Sequence, residues 1–467
     1  MSMKNLFLVS ISILILFYSC KKDSFITSTD AQVSISADEI KFDTVFTTTG
    51  SITQSFKIIN ENDQKLRLTS IKLMGGSASY FKINADGFVG PEVSNIEMEA
   101  NDSVYVFVSV SINQSATNIP FIIKDSIQVN YNGTIRQVNL EAWGQNAHFL
   151  RSKKITADET WNNDLPYVIL GSLTVDPNKK LTINKGCRIY VHADAPILVD
   201  GTLEINGEKD TVNRVYFRGD RLDEPYNDFP AGWPGIFLRN TSKDNILNYA
   251  VIENAYQALV VVDPSPNANP KLTLNECIVD NAYDAGIIAV NSSIRARNCL
   301  VSNCGQNVTL AKGGDYQFTH CTISSFSNSY IPHRNPVLIV TDYIKVNNVP
   351  VTAALTASFR NCIFWGQDGT VDDEVFVDKK GTIFNVSFNE NLWKVVNTPA
   401  NITSTGIINN QNPLFDTINT VKRLYSFRLK DESPAKNKAT NAGVTIDLDG
   451  KPRPVGIAPD LGCYEKQ

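Results

Sequence analysis

The sequence predicts an all-β protein in which an N-terminal immunoglobulin-like β-sandwich is followed by a right-handed parallel β-helix. Short apolar runs alternate with Gly, Asn, Asp, Ser and Thr along the 467 residues, which is typical of many short strands and turns. No long amphipathic helix is evident, and a ten-residue pattern recurs in the second half. The net charge is −5 and the basic residues are scattered, so we expect no nucleic-acid partner.

Residues 1–20 are organised like the signal peptide of a lipoprotein. The run LFLVSISILILF (6–17) has secretory length and is too short for a comfortable transmembrane helix. Ser19 and Cys20 follow it, and a small residue before Cys resembles the lipobox of bacterial lipoproteins. The resemblance implies lipidation of Cys20 and attachment to a membrane. An ordinary signal peptide or a single anchoring helix is the alternative, and we expect residues 21–31 to be a linker.

Residues 32–146 are predicted to form the sandwich. The runs VSI, IKF, SFKII, LRLTSIKL, VYVFVSVSI, SIQVNY and RQVNLEAW indicate about seven strands. Val104, Val106, Val108 and Val110 share one face, as a half-buried antiparallel strand requires. The Cys-Trp-Cys core of antibody domains is absent, and no catalytic residue types cluster here. We therefore expect a spacer or docking domain.

The repeat lies in the second half of the chain. Three copies, LTLNECIVDN from Leu272, IRARNCLVSN from Ile294 and YQFTHCTISS from Tyr316, begin 22 residues apart. A fourth copy, ASFRNCIFWG from Ala357, follows after 41, which fits one coil with a long insertion or two short coils. An earlier copy, NILNYAVIEN, has Ala250 at the Cys position. In each copy two apolar residues share one strand face, and the Cys comes after a break in the alternation, as at a corner.

Strand, corner, strand and turn at this interval describe one coil of a parallel β-helix. We expect the helix over residues 160–430 and a C-terminal cap over 431–467. Equivalent residues of successive coils stack, so a structural ladder of small buried side chains is predicted at Cys277, Cys299, Cys321 and Cys362. Asparagines at the bends are suited to the left-handed conformation that sharp corners need; they are Asn254, Asn281 and Asn303.

The cysteines indicate packing in preference to chemistry. No CxxC pair is present and the spacings match no familiar zinc pattern, so we expect no metal site. Seven cysteines remain after Cys20, and an odd number cannot all pair. Stacked neighbours would present parallel Cβ vectors, which is poor disulfide geometry, although at least one disulfide remains an alternative.

Further motifs resemble the family of right-handed parallel β-helix repeat proteins. They are LTI-x-x-G, D-G-x-L-x-x-x-G and G-W-x-G-I before the Cys coils, and NPLFD, SPA, DLDGKPRP and PDLGCYE near the end. With FDTVFTTTG and GGSASYFKI in the first module, the pattern resembles uncharacterised surface lipoproteins of Gram-negative glycan degraders that carry an immunoglobulin-like module. The resemblance implies an outer-membrane lipoprotein, surface-exposed or on the periplasmic face, and no defined activity.

The preferred hypothesis is a lipid-anchored cell-envelope protein, a non-catalytic rod that binds carbohydrate or another envelope protein. Loops that interrupt a repeat commonly lie on its binding face. The predicted loop 221–233 and the predicted insertion 327–358 supply groups suited to a sugar. The ligand-binding candidates are Tyr226, Trp233, Tyr330, His333, Arg334 and Tyr343. In the alternative, these loops fold back and bury their aromatic side chains.

The second hypothesis is a polysaccharide lyase or glycoside hydrolase on the same scaffold. A lyase would use Ca²⁺ and a basic residue, and a hydrolase would use paired carboxylates; no other cofactor is expected. The catalytic candidates are Asp280, Asp284, Asp315 and His320, with Glu253 as a further carboxylate. Asp280 aligns with Ser302 of the next copy, so we expect no carboxylate column. The third hypothesis is a structural component of an envelope assembly, which an exposed apolar strip would favour.

Overall fold

The computed structural model describes residues 24–46, 51–112 and 121–467, so the predicted lipidation site, Cys20, lies outside the described residues. The chain divides into two compact units, Met1–Asn146 and Ala147–Gln467. Within the described ranges, no helix is long and apolar enough to cross a membrane.

The first unit contains ten strands within its described residues. They are β1 (Val33–Ile35), β2 (Glu39–Phe46), β3 (Gln54–Asn60), β4 (Leu66–Leu73), β5 (Phe81–Ala85), β6 (Phe88–Val89), β7 (Glu92–Met98), β8 (Ser103–Val110), β9 (Phe121–Tyr131) and β10 (Thr134–Gln145), with a 3-10 turn at Gly76–Ala78. One sheet has the order β1-β3-β8-β5-β6 and the other β2-β10-β9-β4-β7. All pairs are antiparallel except β2 with β10.

Alternating apolar residues of both sheets enclose one core in this unit. The valines of β8 point into it, and across the sheets the rings of Phe42 and Phe81 lie 5.9 Å apart. This is the predicted β-sandwich. The sequence analysis missed β5, β6 and β7, because the Gly and Asp residues between these strands obscure their short alternation.

The second unit continues the all-β architecture with thirty strands. They are β11 (His148–Ile155), β12 (Glu159–Trp161), β13 (Tyr167–Val175), β14 (Lys180–Asn184), β15 (Arg188–Val191), β16 (Ile197–Val199), β17 (Thr202–Asn206), β18 (Val215–Gly219), β19 (Ile236–Leu238), β20 (Asn245–Asn248), β21 (Ala250–Glu253), β22 (Gln257–Val262), β23 (Leu272–Asn275), β24 (Ile278–Asp280), β25 (Ala285–Arg297), β26 (Leu300–Ser302), β27 (Gln306–Thr319), β28 (Thr322–Phe326), β29 (Leu338–Thr341), β30 (Tyr343–Val346), β31 (Val349–Thr352), β32 (Leu355–Arg360), β33 (Ile363–Gln367), β34 (Val375–Asp378), β35 (Phe384–Asn389), β36 (Leu392–Trp393), β37 (Thr403–Thr405), β38 (Ile408–Asn409), β39 (Phe415–Asn419) and β40 (Leu424–Leu429). A 3-10 turn lies at Tyr226–Asp228.

Strands β11 to β38, apart from the β30–β31 hairpin, pair in parallel with the equivalent strands of the neighbouring coils. This is a parallel β-helix, and the predicted all-β fold class is confirmed. Its parallel pairing begins at His148 and ends at Asn409, whereas the sequence analysis placed the helix at 160–430. Each full coil contributes to three faces, which we name the asparagine face, the cysteine face and the aliphatic face.

The cysteine face contains β15, β18, β21, β24, β26, β28, β33, β36 and β38. The strand register stacks the four cysteines of the predicted ladder on one another. Each cysteine directly precedes one member of a series of register partners: Ile278, Leu300, Thr322 and Ile363. Ala250 occupies the same position one coil earlier. All seven described cysteines are buried free thiols. The insertion before the fourth copy therefore belongs to one coil, since Cys321 and Cys362 are on neighbouring coils.

Left-handed residues make the corners on both sides of the cysteine face. The predicted asparagines, Asn254, Asn281 and Asn303, have φ of 62°, 55° and 52°, which confirms the expectation for these bends. The corner before the cysteines is also left-handed, at Glu276, Asn298, His320 and Asn361.

The asparagine face presents a polar column that runs along the coils. Its outward members, in order, are Asn184, Asn206, Asn248, Asn275, Arg297, Thr319, Arg360, Asn389 and Thr405. Side-chain amides bond from coil to coil, as in the 2.8 Å bond from Asn275 to Asn248. A cleft of about 470 Å³ opens on this face beside the ion pair of Arg295 and Asp315.

The aliphatic face carries an apolar column on its outer side. The column is apolar except for Thr309 and consists of Leu198, Phe237, Val260, Ile288, Thr309, Ile339 and Phe376, in consecutive register. These side chains are half-buried or, for Phe376, 46% exposed. At the ordinary strand spacing the column is about 30 Å long. We call it the aliphatic strip.

The C-terminal segment lies along the outside of the cysteine face, where the sequence analysis expected an end cap over 431–467. β39 and β40 form an antiparallel hairpin, and the chain beyond it continues over the same face. A second apolar core forms there between outward residues such as Leu300 and Ile363 and tail residues such as Leu461 and Tyr464. Hydrogen bonds from Asn298 to Ile446 O and from Asn361 to Thr440 O tie the tail to the left-handed corner.

Candidate functional site

Five segments of the second unit meet at the bend after the cysteine face. Two adjacent coils contribute Glu253, Asp280 and Asn281, and the loop 221–233 contributes Tyr226, Asp228 and Phe229. The loop after β28 contributes Tyr330, and the β39–β40 hairpin contributes Arg423 and Tyr425. We call this set of residues the corner site.

Glu253 and Asp280 are register partners on the neighbouring strands β21 and β24. Both carboxyl groups therefore leave the same side of the sheet, one coil apart. Glu253 accepts a 2.9 Å bond from Arg218, and its side chain is 29% exposed. Asp280 Oδ1 accepts bonds from Ser302 Oγ at 2.6 Å and Asn303 Nδ2 at 3.2 Å. The sequence analysis, which compared Asp280 only with the following copy, found no such pair.

The loop 221–233 and the C-terminal hairpin are tied together above the coil. Arg423 Nη1 donates to Asp228 O at 2.8 Å and to Asp228 Oδ2 at 2.6 Å. Asn281 Nδ2 donates to Asp228 O at 3.1 Å and to Asn254 Oδ1 at 2.7 Å. The asparagine corner therefore positions the loop directly over the coil, next to the two carboxyl groups.

Aromatic rings form the rim of the corner site. The ring centroids of Tyr226 and Phe229 lie 5.1 Å apart, and those of Phe229 and Tyr330 lie 4.8 Å apart. The guanidinium of Arg221 lies over Tyr226 at 4.0 Å and that of Arg423 over Tyr330 at 4.7 Å. Tyr226 is 47% exposed, so part of this rim faces solvent.

Burial changes the acidity of the site. Desolvation raises the pKa of Asp280 to about 6, against the Ser302 hydrogen bond and with a contribution from the neighbouring Glu253. Burial also raises the pKa of Glu253, and the Arg218 guanidinium opposes that rise. Both carboxyl groups thus hold a proton more readily than ordinary surface carboxylates.

Several buried polar atoms in and beside the corner site have no hydrogen-bond partner among the described residues. They are Asn281 Oδ1, Ser324 Oγ and Arg423 Nε. Asn281 is 2% exposed and Ser324 is fully buried. An unmade hydrogen bond of a buried group costs roughly 1–3 kcal/mol. A ligand or water that supplies both donors and acceptors would remove this cost.

The other predicted ligand-binding residues lie elsewhere. Trp233 is fully buried and donates its indole N–H to Glu253 O at 2.9 Å, so it supports the coil and does not face a ligand. His333 is buried 2.8 Å from Glu374, which anchors its loop. Tyr343 belongs to the β30–β31 hairpin and donates to Asp378 at 2.8 Å. Arg334 is exposed.

The other catalytic candidates do not join the corner site. Asp284 accepts a 2.6 Å bond from Gln257, and Asp315 pairs with Arg295 on the asparagine face. His320 is fully buried in the left-handed corner beneath the C-terminal segment, so no substrate can reach it. In the part of the chain that the structure describes, no group of three or more His, Cys, Asp or Glu side chains is placed to hold a metal ion.

Comparisons with known proteins yield only distant structural similarity. No protein-family model matches the chain. No curated protein matches it. The solved structure of pectate lyase Pel9A is 11% identical, with 69% of this chain and 88% of that chain covered and a TM-score of 0.33. The PapD-like domain 7 of human CEP192 is 10% identical, covering 28% and 90%, with a TM-score of 0.17.

A family 123 glycoside hydrolase from Clostridium perfringens is also similar, at 10% identity and a TM-score of 0.19. The match covers 26% of this chain and 30% of the hydrolase. Similarities this low carry no argument about function, and the strand pairing itself defines the fold.

One part of the corner site had a signal in the sequence and the rest had none. Aligning NILNYAVIEN with LTLNECIVDN places Glu253 opposite Asp280 and Asn254 opposite Asn281, as the structure does. No comparable pattern connects Arg423 or Tyr425 with a coil about 140 residues earlier in the chain.

Buried His320 makes the protein less stable in acid. Burial, helped by Arg453, lowers its pKa to about 2 from an ordinary 6.5, so below pH 6.5 only the unfolded chain takes up the proton. The free energy of unfolding therefore falls as the pH drops from 6.5, by about 1.4 kcal/mol per pH unit from this group. His320→Asn places at this corner the residue type found at Asn298 and Asn361. Between pH 6.5 and 5, we expect the free energy of unfolding of this variant to fall by about 2 kcal/mol less than that of the wild type.

Denaturant titration at both pH values measures this difference. His148→Asn, at a partly exposed histidine, is the control substitution. The prediction would be contradicted if the free energy of unfolding fell by the same amount in the wild type and in His320→Asn.

Proposed function

We propose that the protein binds carbohydrate at the corner site. The observation that carries this proposal is the aromatic rim of Tyr226, Phe229 and Tyr330, built from two separate loops above a set of unpartnered polar groups. Ring faces pack against the C–H surfaces of sugars, while mixed donors and acceptors match their hydroxyl groups. The sequence analysis favoured a non-catalytic role.

The aromatic rim provides the test of saccharide binding. Tyr226→Ala removes an exposed ring without removing a hydrogen bond of the fold, and we expect binding to weaken about tenfold. The probes are immobilised neutral and acidic glycans, with affinity for those that bind measured by calorimetry. Tyr343→Ala, at the separate β30–β31 hairpin, is the matched control. Unchanged binding by Tyr226→Ala, or no binding of any glycan by the wild type, would contradict the proposal.

We also propose that the mature protein is anchored to the outer membrane through lipid on Cys20. The apolar run, Ser19 and Cys20 support this proposal. Cys20→Ser should move the protein from the membrane pellet to the supernatant, and mass spectrometry should find an acylated N-terminal Cys only in the wild type. Ser19→Ala keeps a small residue and is the control. A pelleted, unacylated wild type would contradict lipidation.

A structural role is the second candidate function, and the aliphatic strip is the observation that favours it. A straight strip can face its own copy across a two-fold axis, which would bury it in a dimer. We expect sedimentation velocity to show self-association that Phe237→Lys weakens, while Ile246→Lys, an exposed apolar position on the asparagine face, leaves it unchanged. A monomeric wild type at all accessible concentrations would count against this role.

A further inference from the structure

The two carboxyl groups of the corner site have different hydrogen-bond partners. Asp280 Oδ1 is held by the neutral donors Ser302 and Asn303, and among the described residues Oδ2 accepts no hydrogen bond. Glu253 has a guanidinium partner, Arg218. Burial favours the protonated form of both carboxyl groups, and the Arg218 guanidinium opposes this effect at Glu253. Asp280 makes no ion pair with a described residue, so the two groups differ in the partner that can stabilise their charge. Two carboxyl groups in different protonation states are the requirement for acid catalysis beside a nucleophile.

The separation of the pair follows from the coil. Register partners on adjacent parallel strands have their backbones about 4.8 Å apart. Side chains that leave the same side of the sheet at this spacing can bring their carboxyl groups to the separation of about 5–5.5 Å at which the second carboxylate attacks the sugar directly. The carboxyl pair is joined by an independent feature, the buried and unpartnered Asn281 Oδ1, which lies beside Asp228 above the same coils.

We propose that the corner site hydrolyses a glycosidic bond, with Asp280 as the general acid and Glu253 as the nucleophile. This inference rests on the proposed saccharide binding. Asp280 transfers its proton to the glycosidic oxygen as the bond from that oxygen to the anomeric carbon breaks and Glu253 bonds to the carbon. Water oxygen then bonds to the anomeric carbon, its proton returns to Asp280, and the bond to Glu253 breaks. Both side chains end as they began, and the configuration at the anomeric carbon is retained.

The charges of the site indicate the substrate class. Each guanidinium at the site already has a carboxylate partner: Arg218 pairs with Glu253, Arg423 with Asp228 and Arg221 with Asp223. Uronic acids and sulfated sugars would find no unpaired guanidinium among these residues to compensate their charge. The substrate is therefore a neutral glycan, and the rim of Tyr226 and Tyr330 holds the sugar next to the scissile bond.

The experiment uses the full chain in detergent with a panel of neutral glycans: xylan, mannan, galactan, β-glucan and chitooligosaccharides. Binding and reducing-end release are measured side by side. We expect at least one bound glycan to be cut, and Asp280→Asn and Glu253→Gln each to slow its cleavage about 100-fold or more while binding is retained. Asp284→Asn, which changes a carboxylate outside the site, should cleave like the wild type.

A second measurement separates the two roles. On a dinitrophenyl glycoside, whose leaving group needs no proton, Asp280→Asn should keep most of the wild-type rate of bond breaking and Glu253→Gln should not. A 2-fluoro glycoside should label the wild type at Glu253, detected by peptide mass spectrometry. Binding without cleavage, products with a C=C bond, or inversion of configuration would overturn this inference and leave the binding proposal intact. Failure to bind any glycan would overturn both.

Discussion

The parallel register of the β-helix is the constraint on which the rest of the second unit depends. Hydrogen bonds between coils place each residue directly above its equivalent in the coil below, so every position is repeated as a column. The side chains of a column must therefore pack well against their own equivalents in the neighbouring coils. Small thiols satisfy this condition inside the cysteine face, where Cys277, Cys299, Cys321 and Cys362 are buried without disulfides. Asparagine satisfies this condition at the corners, because it tolerates positive φ and its side-chain amide forms a hydrogen bond with the asparagine of the neighbouring coil.

The same constraint creates three faces with different chemistry. The asparagine face is polar and open, and the cysteine face is covered by the C-terminal segment, which forms a second core against its outward residues. The aliphatic face keeps an apolar strip in consecutive register. Covering one face from outside also buries groups that would otherwise face solvent, such as His320, whose pKa is lowered to about 2. The tail therefore influences the acid stability of the coil.

The corner site forms where the columns end and the loops begin. Stacking brings Glu253 and Asp280 together, and the asparagine corner binds the backbone of the loop that carries Asp228. The hairpin then adds Arg423, which bonds that loop and lies over Tyr330. A repeat scaffold can thus assemble a candidate site without a dedicated domain, because the coil supplies paired carboxyl groups and irregular segments supply the walls.

The sequence by itself determined the features that repeat from coil to coil or alternate along a strand. Spacing of the Cys copies was sufficient for the parallel coil, the thiol column and the left-handed asparagines, because stacking converts an interval in sequence directly into a contact in space. Alternating valines and the other short apolar runs were sufficient to predict the sandwich, although its strands β5 to β7 were not recognised. Only the tertiary structure decided which loop residues face a site: Trp233 and His333 are buried, whereas Tyr226 and Tyr330 meet Phe229. It also placed Arg423 beside Asp228, since contacts between non-repeating segments depend on how the chain folds back and leave no periodic signal.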